Sequence, residues 1–436
     1  MLHDITLRNF KIWKTTGLLK LAPVTLLLGT NSSGKSSIIQ SLLLIRQTVR
    51  SNDPNSSLYF GTEGGSDSVA LGQFSDVLCR HGSDRRIGIE FTWSPKGAIQ
   101  HPFNFSAAYQ PTNTDAAEIS TLRLGRGEMS FTVTRQARGA YRLTVGSSRH
   151  SLGATREFHP QNSFTFSAST FAKMPAEQSQ IIRDAGAFLL DELSRIIYLG
   201  PVRQLAKRHY QWSGIAPATI GDDGGRSVDA LIASGIAAKA NKPAGELFRQ
   251  TERWLKQMGL ADSLEIRHLG KSPLYEVWVT REGVSSNLKD VGVGVSQALP
   301  VIVAALHAQP GHIVMVEEPE SHLHPLAQSI LAELFAQVSR ERGIQFIVET
   351  HSEHLFRRMQ TLLAKQDISP DECAMYFIEK ENNEARIRTL QADDVGRISN
   401  WPPKFFGDSL GETKTQTELM LKRLKEARNN NASLSD

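Results

Sequence analysis

Cysteine is scarce: the 436 residues contain two, Cys79 and Cys373, far apart and each alone. That excludes a disulfide scaffold and a cysteine metal site, and it suits a reducing compartment. Long apolar runs are missing as well. The longest, Leu299 to Leu306, is far short of the roughly 20 residues a membrane span needs. The opening Met1-Leu2-His3-Asp4-Ile5 lacks the basic-then-apolar layout of a signal peptide, so a cytoplasmic protein with no membrane partner is expected. No internal repeat and no sustained heptad array occur, which argues against a solenoid or a long coiled-coil arm. Charge is nearly balanced: a net +4 permits a polyanionic partner without requiring one. What remains, 40% hydrophobic and 22% charged, is an ordinary globular composition long enough for two or three domains.

Against that background one stretch stands out. The apolar run Val24-Thr25-Leu26-Leu27-Leu28 feeds Gly29-Thr30-Asn31-Ser32-Ser33-Gly34-Lys35-Ser36, and Ile38, Ile39, Leu42, Leu43 and Ile45 follow at helical spacing. Strand, Gly-x-x-x-x-Gly-Lys-Ser loop and helix are the order a phosphate loop requires. Successive backbone N–H groups of such a loop form an anion nest, and the helix behind adds the positive end of its dipole. Gly29, Asn31, Ser33, Gly34, Lys35, Ser36 and Ser37 are the nucleotide-binding candidates, with Lys35 on the phosphates and the Ser36 hydroxyl on Mg²⁺. A glycine- and serine-rich turn that merely starts a helix has the same letters.

Downstream the period changes. Ile87, Ile89, Phe91 and Trp93 alternate, as do Phe131 and Val133, and Tyr141, Leu143 and Val145, predicting an antiparallel sheet. Helical patterns follow over about 176–195 and 228–258, with a hairpin near Tyr275 to Val279. The last third returns to α/β logic. Ile313 to Val316 and Ile344 to Val348 are uniformly apolar, as buried parallel strands are. Between them Pro325 opens a helix that Gly343 stops. Residues 375–388 read as a hairpin around Asn382-Asn383, and the polar tail from Asn429 as disordered.

The two apolar strands end in chemistry. Glu317 and Glu318 stand at the end of the first, where ligands of open α/β sheets bind. One acid can serve a Mg²⁺ shell while its neighbour polarises water; a solvated acidic turn is the plainer reading. Glu349-Thr350-His351-Ser352 closes the second, and a histidine there can sense a γ-phosphate, although a structural histidine is common. Asp290-Val291-Gly292-Val293-Gly294-Val295-Ser296-Gln297 precedes another helix, with Ser296 as the expected cap.

These parts, in this order, resemble an ABC-type ATPase head. More narrowly, Leu7-Arg8-Asn9-Phe10-Lys11 before the loop, Glu317-Glu318-Pro319-Glu320-Ser321-His322-Leu323-His324-Pro325 and Glu349-Thr350-His351-Ser352 look like the SMC/RecF/OLD-like ATPases, many of them catalogued as AAA-family ATPases. Gly200-Pro201-Val202-Arg203, Asp290 to Gln297 and Trp401-Pro402-Pro403-Lys404-Phe405-Phe406 are similar to a bacterial subgroup with a C-terminal domain of unassigned function. The resemblance implies an α/β P-loop NTPase fold of ABC-ATPase head type, with an antiparallel β-subdomain and an inserted, mostly helical subdomain. Its parts would be 1–95 (head), 96–175 (β region), 176–285 (helical insertion), 286–390 (head) and 391–436 (C-terminal region).

It also implies roles. Glu317 takes the Mg²⁺ position, Glu318 the catalytic base and His351 the switch; Gln73 is a guess for the glutamine that joins metal to the helical lobe. Gly292, Gly294 and Ser296 would contact ATP held by a second copy, so that ATP is sandwiched in a homodimer or larger assembly. ATP hydrolysis with Mg²⁺ follows, in DNA repair or antiphage defence, with DNA or an effector such as a nuclease as partner. Two departures are visible: family heads usually carry Asp where Glu317 stands, and the usual Leu-Ser-Gly-Gly-Gln is absent from 290–297. Too little chain follows His351 for a Toprim nuclease domain. Arg203, Lys207, Arg208, Arg357, Arg358, Lys422, Arg423, Lys425 and Arg428 are the candidates for phosphate contacts on DNA.

Overall fold

The computed structural model describes residues 1–400 except 65–66, 83, 95–101, 147–149, 241, 382–383 and 394, together with 415–417 and 419–420. The chain divides into two units, Met1–Ser399 and Asn400–Asp436; residues 415–417 and 419–420 of the second are helical. The Asn382-Asn383 turn, Trp401 to Phe406, the basic residues 422–428 and the tail from Asn429 lie outside the described residues. No helix among the described residues is long and apolar enough to cross a membrane.

In chain order, β1 (Leu2–Phe10), β2 (Trp13–Thr15) and β3 (Leu19–Lys20) precede β4 (Val24–Gly29), which runs into α1 (Lys35–Arg50). After the short α2 (Phe74–Val77) come β5 (Ile87–Trp93), β6 (Phe103–Pro111), β7 (Ala117–Arg126), β8 (Met129–Arg135), β9 (Tyr141–Val145) and β10 (His150–Thr155). The next stretch carries α3 (Ala168–Ala172), α4 (Ala176–Ser194), β11 (Ile196–Leu199), β12 (Tyr210–Gln211), α5 (Ser227–Lys239) and α6 (Glu246–Gln257). A small sheet then adds β13 (Ser263–His268), β14 (Leu274–Arg281) and β15 (Val284–Asn287). Last come α7 (Val293–His307), β16 (Ile313–Glu317), α8 (Pro325–Arg342), β17 (Gln345–Thr350), α9 (Glu353–Ala364), β18 (Cys373–Glu381) and β19 (Glu384–Thr389).

The sheet that positions the site runs β11-β16-β17-β4-β18-β19, parallel except for the final pair. Strands β4, β16 and β17 are buried at every position, which is why their centres read as apolar runs. The antiparallel sheet runs β10-β9-β8-β7-β6-β5-β1-β2, with β3 on β1. Its alternating residues face one core: Ile87, Ile89, Phe91 and Trp93 are buried, and Phe91 stacks on Phe105 across the strand pair at 4.5 Å. Helix α1 packs against β4 and β17 of the first sheet and also against β1 of the second. Ile38, Ile39, Leu42, Leu43, Leu44 and Ile45 are consequently all buried, each worth roughly 1.5–3 kcal/mol of transfer free energy.

Residues 176–285 supply α4, α5 and α6 as the periodicity predicts, and they also lend β11 to the edge of the parallel sheet. The hairpin predicted near Tyr275 is β14–β15, turned by Glu282 and Gly283, both at positive φ. Helix α8 begins at Pro325 and ends at Gly343 with φ 63°.

Candidate functional site

Strands β16, β17 and β4 are neighbours, and their register aligns their carboxyl ends: Glu317 lies beside Glu349, and Thr350 beside Leu28. Neighbouring strands are about 4.8 Å apart, so the loop after Leu28, the acids at Glu317–Glu318 and the segment Glu349–His351 open onto one cleft. Chain topology alone brings these three distant segments together.

The loop is built tightly. Gly29 has φ 153°, and a Cβ there would sit 2.1 Å from the Ile378 carbonyl oxygen on β18. Gly34, at φ 111°, caps α1, and its Cβ would meet Ile12 at 2.7 Å. Both positions exclude any side chain. Trp13 Nε1 donates to the Gly34 carbonyl at 3.1 Å, so the antiparallel sheet braces the loop. Asn31 and Ser32 are exposed, Ser37 is buried in α1, and the buried Ser33 Oγ has no hydrogen-bond partner.

Lys35 is buried, and its ammonium donates to the carbonyls of Thr30 at 2.8 Å and Gly29 at 3.3 Å. It lies 3.7 Å from Glu349 Oε1, an ion-pair distance. Burial lowers its pKa, while Glu349, Glu318 and Glu320 pull it back up. Ser36 Oγ donates to the same Glu349 oxygen at 2.9 Å, and the other carboxylate oxygen of Glu349 is buried without a partner. Glu349 belongs to the Glu349-Thr350-His351-Ser352 motif, whose sequence signal points to the histidine and not to this acid.

Glu317 accepts a hydrogen bond from the Tyr198 hydroxyl at 2.8 Å. Its carboxyl is pushed up to about 7, first by burial and then by the charge of Glu349. Glu349 is raised in the same direction by burial, with Lys35 and Ser36 opposing. Two buried carboxylates that each hold on to protons are the donor set a cation relieves. Together with the Ser36 hydroxyl they fit a Mg²⁺ ion that takes its other oxygens from phosphate and water. Among the described residues no three His, Cys, Asp or Glu side chains are arranged to hold a metal by themselves.

Glu318 follows at φ 43°, with its N–H on the Glu349 carbonyl at 2.8 Å and its carboxylate accepting from Ser321 Oγ at 3.1 Å. His351 is half-buried; burial and then Lys35 lower its pKa, and Glu318 opposes them. An imidazole that feels both an ammonium and a carboxylate is suited to hydrogen-bonding a phosphate. The His351 N–H donates to the buried Glu320 Oε1 at 2.6 Å, tying this turn to the acidic segment. Lys11 also feels Glu317, and it donates to Gln40 Oε1 on α1.

The remaining candidates fare differently. Gln73 is exposed and caps α2, exchanging hydrogen bonds with Asp76 in its own turn. Gly292 is exposed and is itself the cap of α7; Ser296, expected there, lies inside the helix, buried, with its hydroxyl on the Val293 carbonyl at 2.9 Å. The helix starts at Val293, with Gly292 as a cap that has no side-chain hydrogen bond. Of the five basic candidates among the described residues, three are paired with carboxylates. Arg208 forks onto Asp290 at 2.8 and 2.6 Å, Arg357 lies 2.6 Å from Glu353, and Arg358 3.2 Å from Glu333. Arg203 is buried and is no surface cation at all.

A parallel sheet with a glycine loop entering a helix, beside acids on the next strands and an antiparallel sheet, is an α/β fold of the P-loop NTPase kind. Residues 232–356 match the family described as an AAA ATPase domain, and residues 368–416 match a family described as a protein of unknown function (DUF3696). The first match takes in Glu317, Glu318, Glu349 and His351; the loop at 29–36 lies before it. No curated protein matches the chain. Among solved structures, the SMC head domain from Thermotoga maritima is similar over 89% of this chain and 99% of that one, at 14% identity and TM-score 0.41. An Smc head domain with an extended coiled coil, bound to the C-terminal domain of ScpA derived from Pyrococcus furiosus, is similar over 98% and 99%, at 11% identity and TM-score 0.43.

Proposed function

We propose that the chain binds and hydrolyses ATP and works as a dimerising switch, with ATP held between two copies and an effector protein, such as a nuclease, as the target in defence or repair. The observation that carries the reading is the shared cleft in which Ser36 and Lys35 meet Glu349, within electrostatic reach of Glu318 and His351. Backbone N–H groups of the loop and the Lys35 ammonium bind the triphosphate. Mg²⁺, when bound by Ser36 with Glu349 and Glu317, neutralises phosphate charge. Glu318 accepts a proton from the attacking water, and His351 holds the oxygen of the departing phosphate.

The exposed Gly292 and the N-terminus of α7 are the surface offered to ATP on a second copy, with backbone N–H groups as the contacts and the inward Ser296 hydroxyl playing no part. Because the described arginines at 208, 357 and 358 already have carboxylate partners, a protein effector is favoured over DNA. The test is Glu318→Gln. It should keep ATP affinity, lose turnover by about 10²–10⁴-fold and accumulate an ATP-bound dimer seen by light scattering. Equal turnover in both proteins would remove Glu318 from the chemistry, and an unchanged monomer would remove the sandwich.

A further inference from the structure

Arg203 lies in the segment joining β11 to β12 and is 4% exposed. Nη2 donates to two carbonyls at once, Glu317 at 2.6 Å and Glu318 at 2.8 Å. Nε and Nη1 are buried without hydrogen-bond partners. A cation kept dry with two donors unspent is costly, so its retention calls for a gain elsewhere.

The gain is visible at Glu318. A non-glycine residue at φ 43° sits in the left-handed region and is held there by its surroundings. Its N–H is fixed by the Glu349 carbonyl, and its own carbonyl is fixed by Arg203. Removing either frees the peptide that aims the carboxylate.

The same segment continues to Arg208, which forks onto Asp290, while Asn287 Nδ2 donates to the Arg208 carbonyl at 3.1 Å. Asp290 opens the glycine-containing entry to α7. At its other end the segment is anchored by Gly200 N–H on the Asp222 carbonyl at 2.8 Å and Gln204 N–H on the Asp223 carbonyl at 3.0 Å. A short piece of chain, pinned at several points, therefore joins the backbone of Glu318 to the entry of α7.

We propose that Arg203 is a positioning residue that sets the backbone of Glu318, and that the chain from Arg203 to Arg208 transmits the condition of the Asp290–Gly294 segment to it. The consequence for rate rests on the ATPase reading above; the consequence for conformation does not. A second copy pressing on the entry of α7 would then tighten the aim of Glu318.

Hydrogen exchange on the full chain without nucleotide separates this from a merely structural arginine. Arg203→Met and Asp290→Asn should each speed exchange across 317–323 by about tenfold, leaving the amides of α1 and β17 unchanged. The double variant should exchange no faster than the quicker single one, because both cut the same link. Asp290→Asn indistinguishable from wild type at 317–323, or additive singles, would overturn the proposal. If Arg203→Met does not fold, Arg203→Lys carries the same expectation, since the lysine stem is one bond shorter and stops its ammonium short of the Nη2 position. In single-turnover assays Arg203→Lys should lose about 10²-fold in rate with ATP affinity within about threefold of wild type. Wild-type protein without turnover would sink the ATPase reading, and the exchange result would still decide the role of Arg203.

Discussion

The Ser36 hydroxyl donates to Glu349 Oε1 at 2.9 Å, although 313 positions separate the two in the chain. A hydrogen bond to a charged partner contributes about 1.5–3 kcal/mol, and this carboxylate also faces Lys35. Glu349→Gln should therefore weaken Mg²⁺-dependent ATP binding by about 10-fold or more while leaving metal-free binding nearly unchanged. Titration with a fluorescent ATP analogue, with and without Mg²⁺, reads the difference. Equal loss in both conditions would make Glu349 a support of Lys35 alone.

The loop tolerates no side chain where β4 meets β18. Gly29 pairs with Ile378, whose carbonyl is backbone and cannot step aside for a Cβ 2.1 Å away. Gly29→Ala should lower stability by about 1–3 kcal/mol and abolish ATP binding. Gly292→Ala is the control: its φ is −55° and nothing lies within 4 Å of the added Cβ, so the fold should be unmoved. Thermal melts with nucleotide titration check both, and a normally binding Gly29→Ala protein would refute the tight-loop account.

The parts legible in the sequence are those whose signals are local. Strand, loop and helix at 24–45 are contiguous, and β16 and β17 betray themselves because burial on both faces leaves polar residues only at their ends. The alternation from Ile87 to Val145 is equally plain. What stayed hidden depends on neighbours in space. Glu349 meets Ser36 only because β17, and not β16, lies next to β4, and nothing in the chain order says so. Arg203 looks like one of several cations on a basic stretch until the fold wraps it under the Glu317 and Glu318 carbonyls. Ile196 to Leu199 sits between helical patterns and is too short to advertise itself as an edge strand.

A carboxylate partner offsets the arginine charge that a DNA phosphate would feel. Arg208, Arg357 and Arg358 each have a carboxylate partner. Replacing all three by Ala should alter affinity for duplex DNA by less than about threefold between about 50 and 200 mM salt. A loss of about tenfold or a clear drop in the salt slope, measured by fluorescence anisotropy, would restore DNA as the partner.

Acid at the centre of the cleft gives the nucleotide-free protein a pH signature. Glu317 titrates at about 7 when folded, against an ordinary value of 4.5, because burial and then Glu349 disfavour its charge. Between those values the folded chain holds a proton that the unfolded chain has released, so this contribution to stability is complete below about pH 4.5 and is lost as pH rises through about 7. Glu349 and Glu320, both raised by burial, add to the same slope. Each unit is worth about 1.4 kcal/mol, so without Mg²⁺ the melting temperature should fall by several degrees from about pH 5 to pH 8. Glu317→Gln should flatten that fall. Tyr198→Phe should move its midpoint upward, since the tyrosine hydrogen bond is what holds the Glu317 carboxyl down. Mg²⁺ with ATP should flatten it too, because a cation beside the acids stabilises their charged forms. Parallel melting curves for wild type and Glu317→Gln across that range would show that Glu317 is ionised already, and with it that the cleft is wetter than the buried carboxylates require.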